Sequence, residues 1–240
     1  MSKVYQHILE AKNSGEKLLA ILLDPDKLKV SNIPSLFSKI KSSKITHVFV
    51  GGSTVDEHII EEFVSVIKIN TNLPIVLFPG DYKQLTEAAN ALLFLSLISG
   101  RNPEYLIEQQ IRAVEFLKDS SLEIIPTGYV LIDGGMETAV QQVSETLPIP
   151  QTEIETIMTT ALAGEYLGKK LIYLEAGSGA LHSVSTKIIS KVSEALSIPV
   201  IVGGGIKTVA QMNAAYSAGA TMVVIGTAFE ENHTTIESFS

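Results

Sequence analysis

The stretch LIYLEAGSGA (171–180), followed by SVSTKIISKVSEALS (183–197) and PVIVGGG (199–205), decides how the chain is read. An apolar run ends in a carboxylate, Glu175, and then in a loop with almost no side chains. A helix-like segment follows, and a second apolar run ends in three glycines. Each run is continuously apolar rather than alternating, as strands covered on both faces require. The unit therefore reads as strand, crossover helix and parallel strand.

Working outward, six more such runs appear: KLLAILL (17–23), THVFVGG (46–52), PIVLFPG (74–80), ALLFLSL (91–97), EIIPTGYVLI (123–132) and TMVVIGT (221–227). With KLIYLEA (170–176) and PVIVGGG they make eight. Helix-like segments separate most of them: 32–43, 54–70, 102–120, 151–168, 183–197 and 208–220. Thr54 is a candidate N-cap, and Pro103 falls near a first helical position. Eight alternating strands and helices in 240 residues predict an α/β fold, a TIM (β/α)8 barrel occupying residues 1–240 as one domain. Two connections break the pattern. DYKQLTEAAN (81–90) is too short for a full outer helix, so the third helix is reduced or absent. DGGMETAVQQVSETLPIP (133–150) is unusually long, and long connections in compact domains tend to carry function.

Composition narrows the classes. Hydrophobic residues make up 45% and charged residues 18%, enough for a sizeable core. Net charge is 18 − 26 = −8, which argues against a nucleic-acid partner. There is no cysteine, so disulfides and thiolate ligands are excluded. The segment 1–17 lacks the apolar run of a signal peptide, and no apolar stretch reaches the ~18 residues of a membrane span. A cytoplasmic protein is expected.

In such a barrel the site lies at the C-terminal ends of the strands. Glycine-rich tips there, Gly177 to Gly179, Gly204 and Gly205, and Gly226-Thr227, suit an amide-lined phosphate socket, though each also suits a tight turn. Asp24 ends the first strand and can hold Mg2+ or serve as an Asp-Pro turn. Ser53 at the second tip can complete a metal shell or cap a helix. Glu175 is the strongest candidate for chemistry, as a general base; the bland alternative is a salt bridge. Tyr173, two residues earlier, shares its inward face. Histidines 7, 47, 58, 182 and 233 show no metal-ligand spacing.

The set LLDPDK (22–27), VGGS (50–53), FPG (78–80), YLEAGSGA (173–180), VGGGIKT (202–208) and GT (226–227) closely resembles geranylgeranylglyceryl phosphate synthases, in order and over nearly the whole chain. That family uses a modified barrel lacking a full third helix. It joins the 3-hydroxyl of sn-glycerol 1-phosphate to a polyprenyl diphosphate with Mg2+, in ether phospholipid biosynthesis. The resemblance implies metal binding by Asp24 and Ser53. Substrate would be held by Tyr173, Leu174, Glu175, Ala176, Gly177, Ser178, Gly179, Gly204, Gly205, Gly226 and Thr227, with Glu175 as base. A related branch making heptaprenylglyceryl phosphate resembles FKLDP at the first strand. Leu22 here takes the lysine's place, which points to the larger group and a C20 donor, geranylgeranyl diphosphate. Relatives are dimers or hexamers, implying a homo-oligomer, and the prenyl product implies transient contact with a membrane surface. The tail needs an apolar trough beside strands three and four, with Phe78, Tyr82, Leu93 and Leu95 as expected lining. Two alternatives stand beside this reading. One is a phosphosugar isomerase or synthase, pairing Asp24 with a strand-five group such as Asp133; the other is a catalytically silent phosphate-ligand sensor.

Overall fold

The computed structural model describes residues 4–41, 43–52 and 57–226, and no side-chain detail is drawn for residues 57 and 58. Eight parallel strands close a barrel in chain order: β1 (Leu18–Leu23), β2 (His47–Val50), β3 (Ile75–Leu77), β4 (Ala91–Leu97), β5 (Glu123–Leu131), β6 (Leu171–Glu175), β7 (Val200–Gly203) and β8 (Met222–Ile225). The expected strands are all present. Their continuous apolarity follows from two separate cores. Leu18, Ala20, Phe49, Leu171 and Tyr173 pack inside the barrel. Leu19, Ile21, Val48, Ile172 and Leu174, the alternate residues, pack outward under the helices.

The outer layer comprises α2 (Ile33–Ile40), α3 (Glu57–Asn70), α4 (Gln109–Leu117), α6 (Ile154–Tyr166), α7 (Thr186–Ala195) and α8 (Val209–Ser217). α4 is preceded by a π-helical turn at Glu104–Glu108. The Thr54 cap falls outside the described residues. As expected, residues 78–90 link β3 to β4 through turns with no helix. β3 pairs with β4 only at Val76↔Ala91 and Leu77↔Leu92, whereas the β4–β5 ladder runs over seven pairs. The barrel wall is therefore thin at one place. The long connection after β5 folds into a short helix, α5 (Ala139–Ser144), whose N-cap Thr138 accepts from the Gln141 amide.

One helix was not foreseen. α1 (Val4–Ser14) runs beneath the barrel, and its Val4, Ile8 and Ala11 join the interior core. The Glu123 carboxylate at the start of β5 accepts from the Val4 amide at 2.5 Å. His7 stacks on the fully buried His47 at a ring distance of 5.3 Å. Burial, with His7 beside it, pushes His47 down to about 3, so it stays neutral and structural. With the lower mouth plugged, the upper mouth is the one left for a ligand.

Candidate active site

A cavity of about 770 Å3 opens at the C-terminal ends of the strands, and both Asp24 and Glu175 line it. Two features of the chain put them there. Glu175 is the last residue of β6, two beyond Tyr173 on the inward face. Asp24 follows β1 by one residue and shares the parity of the inward Ala20 and Leu22.

Glu175 is 6% exposed. Burial pushes its carboxyl up to about 7, against the opposing pull of the Gly177 amide and the Tyr173 hydroxyl. The Gly177 N–H donates to Oε1 at 2.6 Å. Among the described residues the carboxylate has no cationic partner, so the salt-bridge alternative fails. The Tyr173 hydroxyl is buried without a well-formed hydrogen bond, so its influence on Glu175 is one of proximity. Tyr173 is held between the rings of Phe78 at 5.1 Å and Tyr129 at 5.5 Å. An orphaned hydroxyl and a costly carboxylate side by side form a site prepared for a polar ligand.

The glycine tips close on this pair. Gly204 has φ +79°, and a Cβ there would fall on the Glu175 carboxylate and 2.5 Å from the Gly177 nitrogen. Only glycine fits so close an approach. Among the described residues, the amides of Gly204 and Gly205 donate to no protein acceptor, and both residues line the cavity. Two uncommitted N–H groups beside a buried hydroxyl are chemically able to receive an anion. Ser178, Gly179 and Gly226 line the same cavity, whereas Leu174 points outward into the helix-side core and Ala176 is fully buried. Thr227 and Ser53 lie outside the described residues.

Across the cavity, Asp24 is 17% exposed and its Oδ2 lies 3.3 Å from Lys27 Nζ. Its Oδ1 accepts from the Asp26 amide at 3.0 Å, so the turn reading also holds. Gly52 makes room for it: a Cβ there would be 2.6 Å from Oδ1. The donors here are hard oxygens, as Mg2+ prefers. Among the described residues no cluster of three or more His, Asp or Glu side chains forms a complete metal cage. That suits an ion that takes one or two carboxylates and completes its shell with substrate and water.

The other arm of the cavity is apolar. It runs through the thin wall between β3 and β4, and all four expected residues, Phe78, Tyr82, Leu93 and Leu95, line it. Further lining from Tyr105, Gln110 and Ala113 on the π-turn and α4, and from Val140 on α5, was not foreseen. Gln110 Nε2 donates to the Leu95 carbonyl. Because Ile98 N–H bonds Tyr129 of β5, the odd residue Leu95 faces the side where β3 has already ended. The glutamine thus supplies the partner that a longer β3 would have given. Lys27 and Lys207 also line the cavity and were not singled out, although both stand inside the quoted motifs.

This geometry has close relatives. A model of the PcrB family matches residues 11–240. The chain belongs to the PcrB family. Geranylgeranylglyceryl phosphate synthase of Zunongwangia profunda is 56% identical over 230 residues, covering 96% of this chain and 98% of its own. The like-named protein of Thermococcus kodakarensis is 40% identical, covering 96% of this chain and 91% of its own. The crystal structure of (S)-3-O-geranylgeranylglyceryl phosphate synthase from Thermoplasma acidophilum, in complex with its substrate sn-glycerol-1-phosphate, superposes with a TM-score of 0.93 at 33% identity. That match covers 100% of this chain and 96% of the other. The relatives thus match this chain at nearly full length, and the Thermoplasma structure shares its barrel.

Proposed function

We propose that residues 1–240 form one prenyltransferase domain that joins the 3-hydroxyl of sn-glycerol 1-phosphate to geranylgeranyl diphosphate, giving an ether and diphosphate. The observation that carries this reading is a single cavity with three parts: a carboxylate raised to about 7, a second carboxylate across from it, and an apolar arm through the wall. A polar pair alone suits many reactions; the hydrocarbon arm selects this one. The names of the relatives and the glycerol phosphate complex of the Thermoplasma protein support it.

In this reading the phosphate lies against Gly204, Gly205, Gly226, Thr227 and the loop Ala176 to Gly179, with the Tyr173 hydroxyl as a further contact. Leu174 acts from behind, packing β6 into place. The fixed phosphate presents the 3-hydroxyl to the allylic carbon, replacing a bimolecular encounter by an oriented one. The hydroxyl oxygen bonds that carbon as its bond to the diphosphate breaks, the electron pair leaving with the diphosphate. The hydroxyl proton passes to Glu175. Asp24 and Ser53 would hold Mg2+, which supplies neutralisation of the departing diphosphate. Phe78, Leu93 and Leu95 keep the tail dry. The same reading places the enzyme in the cytoplasm, in ether phospholipid biosynthesis, as a homo-oligomer that meets a membrane surface transiently. Exposed Ile111 and Val114 on α4 support such contacts. Among the described residues no helix is long and apolar enough to cross a membrane.

The isomerase alternative finds no strand-five carboxylate at the cavity: Glu123 is held at the opposite end of β5 by the Val4 amide, Thr127 donates to the Ile125 carbonyl, and Asp133 accepts from the Gly135 amide and does not line the cavity. Incubating the protein with Mg2+, labelled geranylgeranyl diphosphate and sn-glycerol 1-phosphate tests the reading. The expected result is a butanol-extractable ether of matching mass. No product with any donor from C10 to C35, despite glycerol phosphate binding, sinks it and leaves the sensor alternative.

A further inference from the structure

Four carboxylates, Asp24, Asp26, Asp81 and Glu175, line the cavity, and the substrates proposed above are both anions. Two polyanions do not enter a carboxylate-rich pocket without cations placed to receive them. Among the described lining residues, the basic ones are Lys27 and Lys207. They stand at different stations. Lys27 follows β1, and its ammonium lies 3.3 Å from Asp24 Oδ2. Lys207 is two residues past Gly205, where its backbone N–H donates to Gln211 Oε1 at 2.8 Å. Gln211 belongs to the capping box that starts α8 with Thr208. The backbone that carries Lys207 is therefore anchored, while its exposed side chain forms no ion pair among the described residues.

We propose that these two lysines divide the two anions: Lys27 receives the diphosphate of the prenyl donor, and Lys207 the phosphate of glycerol phosphate. The assignment rests on the function proposed above and on position. Lys27 sits on the carboxylate that faces the leaving group. Lys207 continues the loop whose uncommitted amides, Gly204 and Gly205, form the socket. The two roles differ in kind. Charge grows on the diphosphate as the allylic C–O bond breaks, so an ammonium there acts more strongly in the transition state than in the ground state. The glycerol phosphate keeps its charge throughout, so Lys207 contributes uniform binding.

The test uses the full chain with Lys27→Met, Lys27→Arg, Lys207→Met and Lys207→Arg, each checked for an unchanged melting temperature. Titration calorimetry with Mg2+ measures inorganic diphosphate and sn-glycerol 1-phosphate separately, and steady-state kinetics follow. Lys27→Met is expected to weaken diphosphate by about tenfold or more and to lower kcat, with glycerol phosphate unchanged. Lys207→Met is expected to raise the KM for glycerol phosphate by about tenfold at unchanged kcat. Each arginine variant, which keeps the charge, is expected to recover most of its loss. Equal effects of both methionine variants on both anions, or no effect on either, overturn the division while leaving the prenyltransferase reading intact. A wild-type protein that binds neither anion and makes no product overturns both.

Discussion

The two arms of the cavity are built by opposite means. At the tips of β6 to β8 the chain adds something, a carboxylate and glycines whose backbone approaches to within contact of it. Between β3 and β4 it leaves something out, a helix and most of a ladder. The polar arm is made by local sequence, so single residues decide it. The apolar arm is made by an omission, and α4, α5 and a glutamine side chain then dress the gap. Polar recognition is concentrated and breakable at a point, whereas hydrocarbon recognition is spread over a wall and degrades gradually.

Mutations sharpen this contrast, and the largest effect belongs to the polar arm. Glu175→Gln removes the proposed proton acceptor; kcat is expected to fall by about 10²- to 10⁴-fold, with the KM for both substrates little changed in steady-state assays. Near-native turnover would remove Glu175 from the base role. Gly204→Ala forces a side chain into the φ +79° region and onto the carboxylate. The KM for glycerol phosphate should rise by about 10- to 100-fold, equally with C10 and C20 donors. In the apolar arm, Ala113→Leu narrows the trough. It should raise the KM for a C20 donor by about tenfold and leave a C10 donor nearly untouched. An equal loss with both donors would show that the wall acts as one rigid piece.

Acidity gives two smaller and opposed effects. With the Glu175 carboxyl at about 7, kcat/KM should drop about tenfold per unit below pH 7 if Glu175 is the base, since a base must be deprotonated. Stability moves the other way. The folded state keeps the proton between the ordinary 4.5 and about 7, so stability is lost as pH rises through that window. Glu175→Gln removes the buried charge and should therefore stabilise the fold by roughly 2–3 kcal/mol at pH 8, a gain that shrinks to nothing near pH 4.5. Calorimetric melts of both proteins across that range check it. The proposed base is then a residue whose ionised form destabilises the fold.

Much of this was legible in the sequence because the physics is local. A strand covered on both faces must be apolar throughout, so KLLAILL and its seven counterparts declare themselves. A carboxylate at the end of such a strand is anomalous wherever it occurs, and Glu175 was found by that anomaly. The shortness of DYKQLTEAAN exposed the missing helix directly. What escaped depends on distant partners. VYQHILEAKNS has a modest apolar stripe whose meaning comes only from the barrel floor above it. Lys27 and Lys207 look like ordinary surface lysines until the cavity gathers them. Gln110 is one of two adjacent glutamines, and nothing in EQQI announces that its amide will stand in for a strand.

The plug beneath the barrel has a consequence for how the molecule is made. α1 precedes the eight barrel strands, yet its buried residues share one core with Leu18 of β1, Ile125 of β5, Ile201 of β7 and Met222 of β8. During synthesis α1 emerges before all eight strands, so Val4, Ile8 and Ala11 wait in water while more than two hundred residues follow. Only when the ring of strands is complete does the helix have somewhere to go, so its docking reports that the whole barrel has been assembled.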